Sequence, residues 1–157
     1  MKVCLLVIGK TDAAYIREGI AEYEKRLGRY VPYEMKVLPD VRNVRNMSEA
    51  VQKEKEGELL LGQFQAGDWV VLLDEHGREF SSVGFSEFLG QKMLGGVKRL
   101  VFVIGGPFGF SEGVYRRANE RVSLSKMTFS HQMVRMIFVE QLYRAMTIMK
   151  GEPYHHQ

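Results

Sequence analysis

Leu100-Val101-Phe102-Val103-Ile104-Gly105-Gly106-Pro107-Phe108-Gly109-Phe110-Ser111 is a strand, a turn and a helix start in one short stretch. Residues 100–104 are apolar without alternation, the pattern of a strand buried on both faces, as in a parallel sheet covered by helices. Glycines at 105, 106 and 109 make a sharp turn with exposed amides and let a ligand approach the backbone. Ser111 then caps a short helix to about Asn119. The turn is not a P-loop, because it lacks the Gly-Lys-Ser/Thr ending. It is not the dinucleotide fingerprint either, because the glycine spacing differs and no N-terminal βαβ unit precedes it. A tight strand-to-helix connection and a ligand cradle both remain open for it.

Outward from this stretch, strand and helix signals alternate. Lys2–Ile8 is a continuous apolar run and reads as a buried strand. Asp12 is expected to cap a helix through about Arg29, with Ile16, Ile20, Tyr23 and Leu27 on its apolar stripe and Pro32 as its stop. Glu34–Leu38 reads as a second strand and Pro39–Asn46 as a loop. Ser48 caps a polar helix to about Phe64, without a capping box. Trp69–Leu73 is a third strand, followed by a loop, Asp74-Glu75-His76-Gly77-Arg78. A helix over about Val83–Leu94 ends at Gly95-Gly96. After the quoted strand and its helix come a short fifth strand, Val122–Leu124, a loop, Ser125–Phe129, and a long helix, His131–Lys150. The pattern is one α/β domain over residues 1–157, a mainly parallel sheet with helices on both faces. In such sheets ligands bind beyond the C-terminal ends of strands. That nominates the loops after Leu73, Ile104 and Leu124.

Composition narrows the class. Apolar residues at 45% and charged residues at 26% are those of an ordinary globular protein, and the net charge of +3 does not by itself announce a nucleic-acid binder. Seven basic residues against three acidic ones from Val114 onward give that part a local excess of four, leaving the rest near neutral. Such an excess suits a polyanion or an ordinary solvated face. No signal peptide or membrane-length apolar run is present, and Cys4 is a lone thiol in an apolar strand, so a soluble protein of a reducing compartment is expected. Tyr154-His155-His156 has no partnering Cys or carboxylate cluster nearby in sequence, so no metal is expected.

The helix from His131 is apolar nearly all round, so it must be covered on more than one side, and in a domain this small a second copy is an expected cover. Glu140 and Arg144 are spaced to pair. Their place on so apolar a helix points to a site. His131, at the helix N-terminus, is either a proton acceptor or a local hydrogen-bonding residue, and Ser130 either caps the helix or belongs to a ligand loop.

Four segments together resemble the RlmH/YbeA family of the SPOUT superfamily. They are Leu72–Gly77, Phe102–Gly109, Leu124–Arg135, and Glu140–Ala145 with Pro153-Tyr154-His155. The resemblance covers the whole chain. It implies a parallel-sheet SPOUT fold with a C-terminal trefoil knot. It implies a cytoplasmic methyltransferase acting on N3 of a pseudouridine in helix 69 of the 23S rRNA, presented on assembled ribosomes. It implies S-adenosylmethionine as cofactor, lined by Leu73, Gly105 and Leu124, Ser125, Lys126, Met127, Thr128 and Phe129. It also implies a homodimer whose site is completed by the partner's tail, which Tyr154 and His155 match; Arg144, by its place on the apolar helix, and His131 are the other candidate catalytic residues. No membrane or DNA partner is implied. Two features depart from the family pattern: His156 stands where a basic residue is usual, a weaker phosphate anchor than arginine, and Ser130 stands where proline is usual. The rival readings are a sister methyltransferase acting on tRNA and a non-catalytic ribosome-binding factor.

Overall fold

In the computed structural model, which describes Met1–His156, five parallel strands lie in the order β2-β1-β4-β3-β5. They are β1 (Lys2–Ile8), β2 (Tyr33–Leu38), β3 (Trp69–Glu79), β4 (Arg99–Ile104) and β5 (Glu120–Ser123). The helices are α1 (Ala14–Leu27), α2 (Glu49–Leu61), α3 (Ser82–Leu94), α4 (Glu112–Arg117) and α5 (His131–Met149), with a single 3-10 turn at Val44–Asn46. Alternate residues of the central strands feed two cores. Val3, Leu5, Val71, Leu100 and Phe102 face α1, α3 and α5, while Cys4, Leu6, Val70, Leu72, Val101 and Val103 face α2 and α4. This two-sided burial is why the strands read as unbroken apolar runs. Among the described residues, no helix is long and apolar enough to cross a membrane.

α5 lies between α1 and α3. Phe138, Val139, Leu142, Ala145 and Met146 are its core side. Arg135 is also buried, at 2% exposed, and docks α5 onto the end of β1. Its guanidinium donates to the carbonyls of Ile8 (2.9 Å) and Gly9 (2.8 Å) and to Thr11 Oγ1 (3.0 Å).

That docking explains one correction. Asp12 does not cap α1, whose N-cap is Ala13 with no side-chain bond. The backbone N–H of Asp12 donates to Gln132 Oε1 (2.7 Å), and its carbonyl accepts from Arg17. The segment is therefore held by α5 and by Arg17 rather than folded into a cap. The helix also ends at Leu27, ahead of Pro32, with the Gly28 N–H bonded to Glu24 O. Ser48, Ser111 and Ser130 do cap α2, α4 and α5, each accepting from the N–H three residues on.

The second correction concerns Asp74–Arg78. Its polar composition reads as a loop. The structure carries β3 through it to Glu79, with the pairing to β5 interrupted between Leu73 and Arg78 and resumed at Arg78↔Val122 and Glu79↔Ser123. Gly77 permits this, because a Cβ there would stand 2.6 Å from Val122 N. The remaining boundaries differ from expectation by one to three residues: α2 ends at Leu61, α4 at Arg117, and β5 spans Glu120–Ser123.

Candidate active site

The middle of β3, at Leu73–Glu75, and the loops after β4 and β5 converge on one cavity of about 260 Å³. Of the residues nominated for a cofactor, Leu73, Gly105, Leu124, Ser125, Met127, Thr128 and Phe129 line it, whereas the exposed Lys126 does not. Ile104, Phe110 and Val134 supply further apolar wall, and His131 lies on the lining. Gly105 is tightly seated, since a Cβ there would be 2.9 Å from the Phe110 ring. Backbone is thus the cavity surface at this point, and its polar groups are what a ligand meets. The loop hydroxyls are partly committed to their own turn. Ser125 Oγ accepts from Met127 N (2.9 Å), and Ser123 Oγ donates to the Ser125 carbonyl (3.0 Å).

Asp74 and Tyr115 also line the cavity; Asp74 lies in the stretch after Leu73 that the sequence nominates, whereas nothing in the sequence points to Tyr115. The Tyr115 hydroxyl donates to Asp74 Oδ2 (2.7 Å), while Asp74 Oδ1 accepts from the His76 N–H (3.0 Å). Burial, then the bond to Asp74, pushes the Tyr115 phenol up to about 12. It is a neutral donor at any physiological pH. An i, i+4 helical partner would have been visible in the sequence. A contact between β3 and α4 is not.

The other candidates gather at the opposite end of α5. Glu140 Oε1 accepts from Arg144 Nε (3.1 Å) and Nη2 (2.8 Å) and from the Tyr154 hydroxyl (2.9 Å). Arg144 Nη1 lies 3.0 Å from His155 Nδ1, and the guanidinium sits 4.8 Å from the Tyr154 ring centroid. Arginine has only donors, so Nδ1 is the acceptor here and the neutral ring carries its proton on Nε2. Burial, with hydrogen bonds to Tyr23 and Glu140, raises the Tyr154 phenol well above its ordinary range. The tail is anchored rather than loose. Glu152 N donates to Thr147 O (2.9 Å), Tyr30 donates to Glu152 Oε2 (2.5 Å), and the Tyr154 ring packs edge-on against Tyr143 at 4.6 Å. Among the described residues, no three His, Cys, Asp or Glu side chains gather as a metal site would require.

His131 and Arg144 are thirteen positions apart on one helix, hence roughly 20 Å along its axis. The structure therefore does not bring the four candidate catalytic residues together within one chain. His131 belongs to the cavity, and Arg144, Tyr154 and His155 form a separate cluster.

A family model described as predicted SPOUT methyltransferase matches the chain over residues 1–155. The chain belongs to the SPOUT methyltransferase family. Its relatives include proteins named ribosomal RNA large subunit methyltransferase H. Those of Parabacteroides distasonis, Flavobacterium johnsoniae and Bacteroides thetaiotaomicron are 64%, 58% and 55% identical to it, each over the full length of both chains.

Proposed function

We propose that this chain is a homodimeric ribosomal RNA methyltransferase of the cytoplasm. It transfers the methyl group of S-adenosylmethionine to N3 of a pseudouridine in helix 69 of the 23S rRNA, on assembled ribosomes. The family's trefoil knot, in the C-terminal part of the chain, is part of this reading. The observation that carries it is the separation of a cavity at one end of α5 from an Arg-Glu-Tyr-His cluster at the other. Two such half-sites on one helix make sense when a second copy brings its cluster to the first copy's cavity. Full-length relatives bearing the ribosomal RNA methyltransferase name support the substrate class.

The cavity fits the cofactor in kind. Its walls are mostly apolar, a Cβ at Gly105 would crowd the Phe110 ring that lines it, and a buried carboxyl oxygen of Glu56 lies unpartnered beside Gly106. Leu73, Gly105 and the Leu124–Phe129 loop would hold it. When bound, it supplies a methyl group on a sulfonium sulfur, an electrophile that needs no metal. Pseudouridine N3 must lose its imide proton to form the new N–C bond. Arg144 from the partner stabilises the resulting negative charge, and with Nδ1 turned to Arg144, His155 presents an Nε2–H donor to the same anion. Tyr154, held neutral, orients the base. His131 lies on the cavity and takes the imide proton.

Incubation of the protein with ribosomes and methyl-labelled S-adenosylmethionine, followed by mass spectrometry of the rRNA, tests the reading. Label on N3 of a helix 69 pseudouridine is expected. Label on tRNA, or none, overturns it. Single-turnover rates at saturating cofactor test the roles. His131→Ala is expected to lose about a hundredfold, and unchanged rates in both His131→Ala and His155→Ala remove the assignments.

A further inference from the structure

Glu56 stands in α2 and is only 4% exposed. Its Oε2 is 3.4 Å from Gln52 Nε2, while its Oε1 has no hydrogen-bond partner among the described residues. Both oxygens press on Gly106, where a Cβ would stand 2.4 Å from each. Gly106 is itself part of the cavity lining. At this point a buried carboxyl with a bare oxygen is separated from the cavity by the backbone of a residue that has no side chain.

A helix packed on a sheet has no structural use for such a group, because an apolar residue would fill the place without leaving a polar atom unsatisfied. The groups it faces are few. Gln52 on its own helix donates to it, His131 from α5 acts electrostatically to lower its pKa, and Asp40 at the end of β2 acts to raise it. Burial outweighs them and holds the carboxyl above the usual carboxylate range. His131 and Gly106 both line the cavity, so Glu56 acts on the part of it nearest His131.

We propose that the Glu56 carboxylate is the counter-charge for the sulfonium of the methyl donor, acting past Gly106, and that it makes the cavity prefer the charged donor to the neutral thioether left after transfer. This rests on the S-adenosylmethionine reading above. Donor and product differ by one methyl group and one unit of charge, so their shapes can be told apart only weakly and their charges strongly. Glu56 is a positioning and selectivity residue, touching the cavity wall rather than the reacting atoms. A cation in the cavity draws the carboxyl toward its ionised form, and the proton leaves to solvent. Donor affinity therefore rises with pH up to the raised value of the free protein, and product affinity does not.

Calorimetric titration of S-adenosylmethionine and S-adenosylhomocysteine into the wild type and Glu56→Gln, over about pH 5 to 8 and in two buffers of different ionisation enthalpy, tests this. For the wild type, proton release with the donor alone is expected. Glu56→Gln is expected to weaken the donor roughly tenfold, to flatten its pH dependence and to leave the product's affinity in place, which also certifies the fold. Equal losses for both ligands, or a wild type that binds the donor without proton release, overturn the proposal and leave Glu56 a packing residue. A folded wild type that binds no donor removes the underlying reading, and the proposal with it, a result distinct from either of those.

Discussion

Three donors converge on one oxygen, Glu140 Oε1: two from Arg144 and one from Tyr154. Both members of the ion pair are less than a third exposed, so solvent screens it only partly. Truncation of the carboxylate leaves Arg144 without its ion-pair partner and removes one of the tail's bonds to α5, that from Tyr154. Glu140→Ala is expected to cost about 1–2 kcal/mol in urea unfolding and to expose the segment after Gly151 to limited proteolysis; an unchanged midpoint and cleavage pattern would show that the cluster is not what holds the tail. Glu56 is a carboxyl that burial disfavours in its ionised form. Its folded pKa lies above its unfolded value, so its contribution to stability is fully present below the ordinary carboxylate pKa and is lost as pH rises through the raised one. Glu56→Gln mimics the protonated form. The variant is expected to match the wild type in acid and to exceed it by about 1 kcal/mol near neutrality, read as urea midpoints at the two pH values. A gap that is equal at both would place the effect in packing and not in ionisation.

β3 shows at the level of elements what the sequence displays and what it conceals. Its first half is an apolar run and is legible as a buried strand. Its second half, Asp74–Glu79, is polar and contains a glycine, so local pattern reads it as a loop. Only the neighbouring β5 makes it a strand, and a register break between two elements separated by more than forty residues has no periodic signature. The caps divide in the same way. Ser48, Ser111 and Ser130 act through bonds three residues away and were legible, whereas Asp12 was claimed by Gln132, 120 residues distant. Among site residues, the cavity loops after β4 and β5 are legible because strand ends nominate them, and Leu73 because the apolar half of β3 ends there. Glu56 was not, since Lys53-Glu54-Lys55-Glu56 reads as a solvated charge run until α2 is packed. Gly77 tests the β3–β5 junction. A Cβ would lie 2.6–2.8 Å from backbone atoms of Arg121 and Val122, which cannot yield without unpairing β5. Gly77→Ala is expected to destabilise by roughly 3 kcal/mol and to weaken ligand binding in the cavity that β5 borders. A midpoint within the scatter of surface variants would mean that β5 yields freely.

At the scale of the whole molecule, α5 links the two half-sites and keeps them apart. A rigid helix of nineteen residues, about 28 Å long, cannot fold its C-terminal cluster back onto the cavity at its own N-terminus. Rotation of side chains does not close a gap of that size, and the tail beyond Met149 is bonded to the wrong end of the helix. On the proposed reading a complete site takes the cluster of one copy and the cavity of another, and that can be measured without a structure of the complex. A bulky residue at Gly105 blocks the cavity, because even a Cβ there meets the Phe110 ring. Arg144→Ala removes the centre of the cluster. Each variant alone is expected to be inactive, the first without donor binding and the second with it. In an equal mixture exchanged to equilibrium, half the dimers are mixed, and each mixed dimer has one intact cavity facing one intact cluster. Activity is therefore expected to return to about a quarter of the wild-type value, from the statistics of twofold pairing. No recovery in a mixture shown to contain mixed dimers would mean that cavity and cluster act within one chain, through a movement of the tail that the bonds from Glu140 and Thr147 oppose.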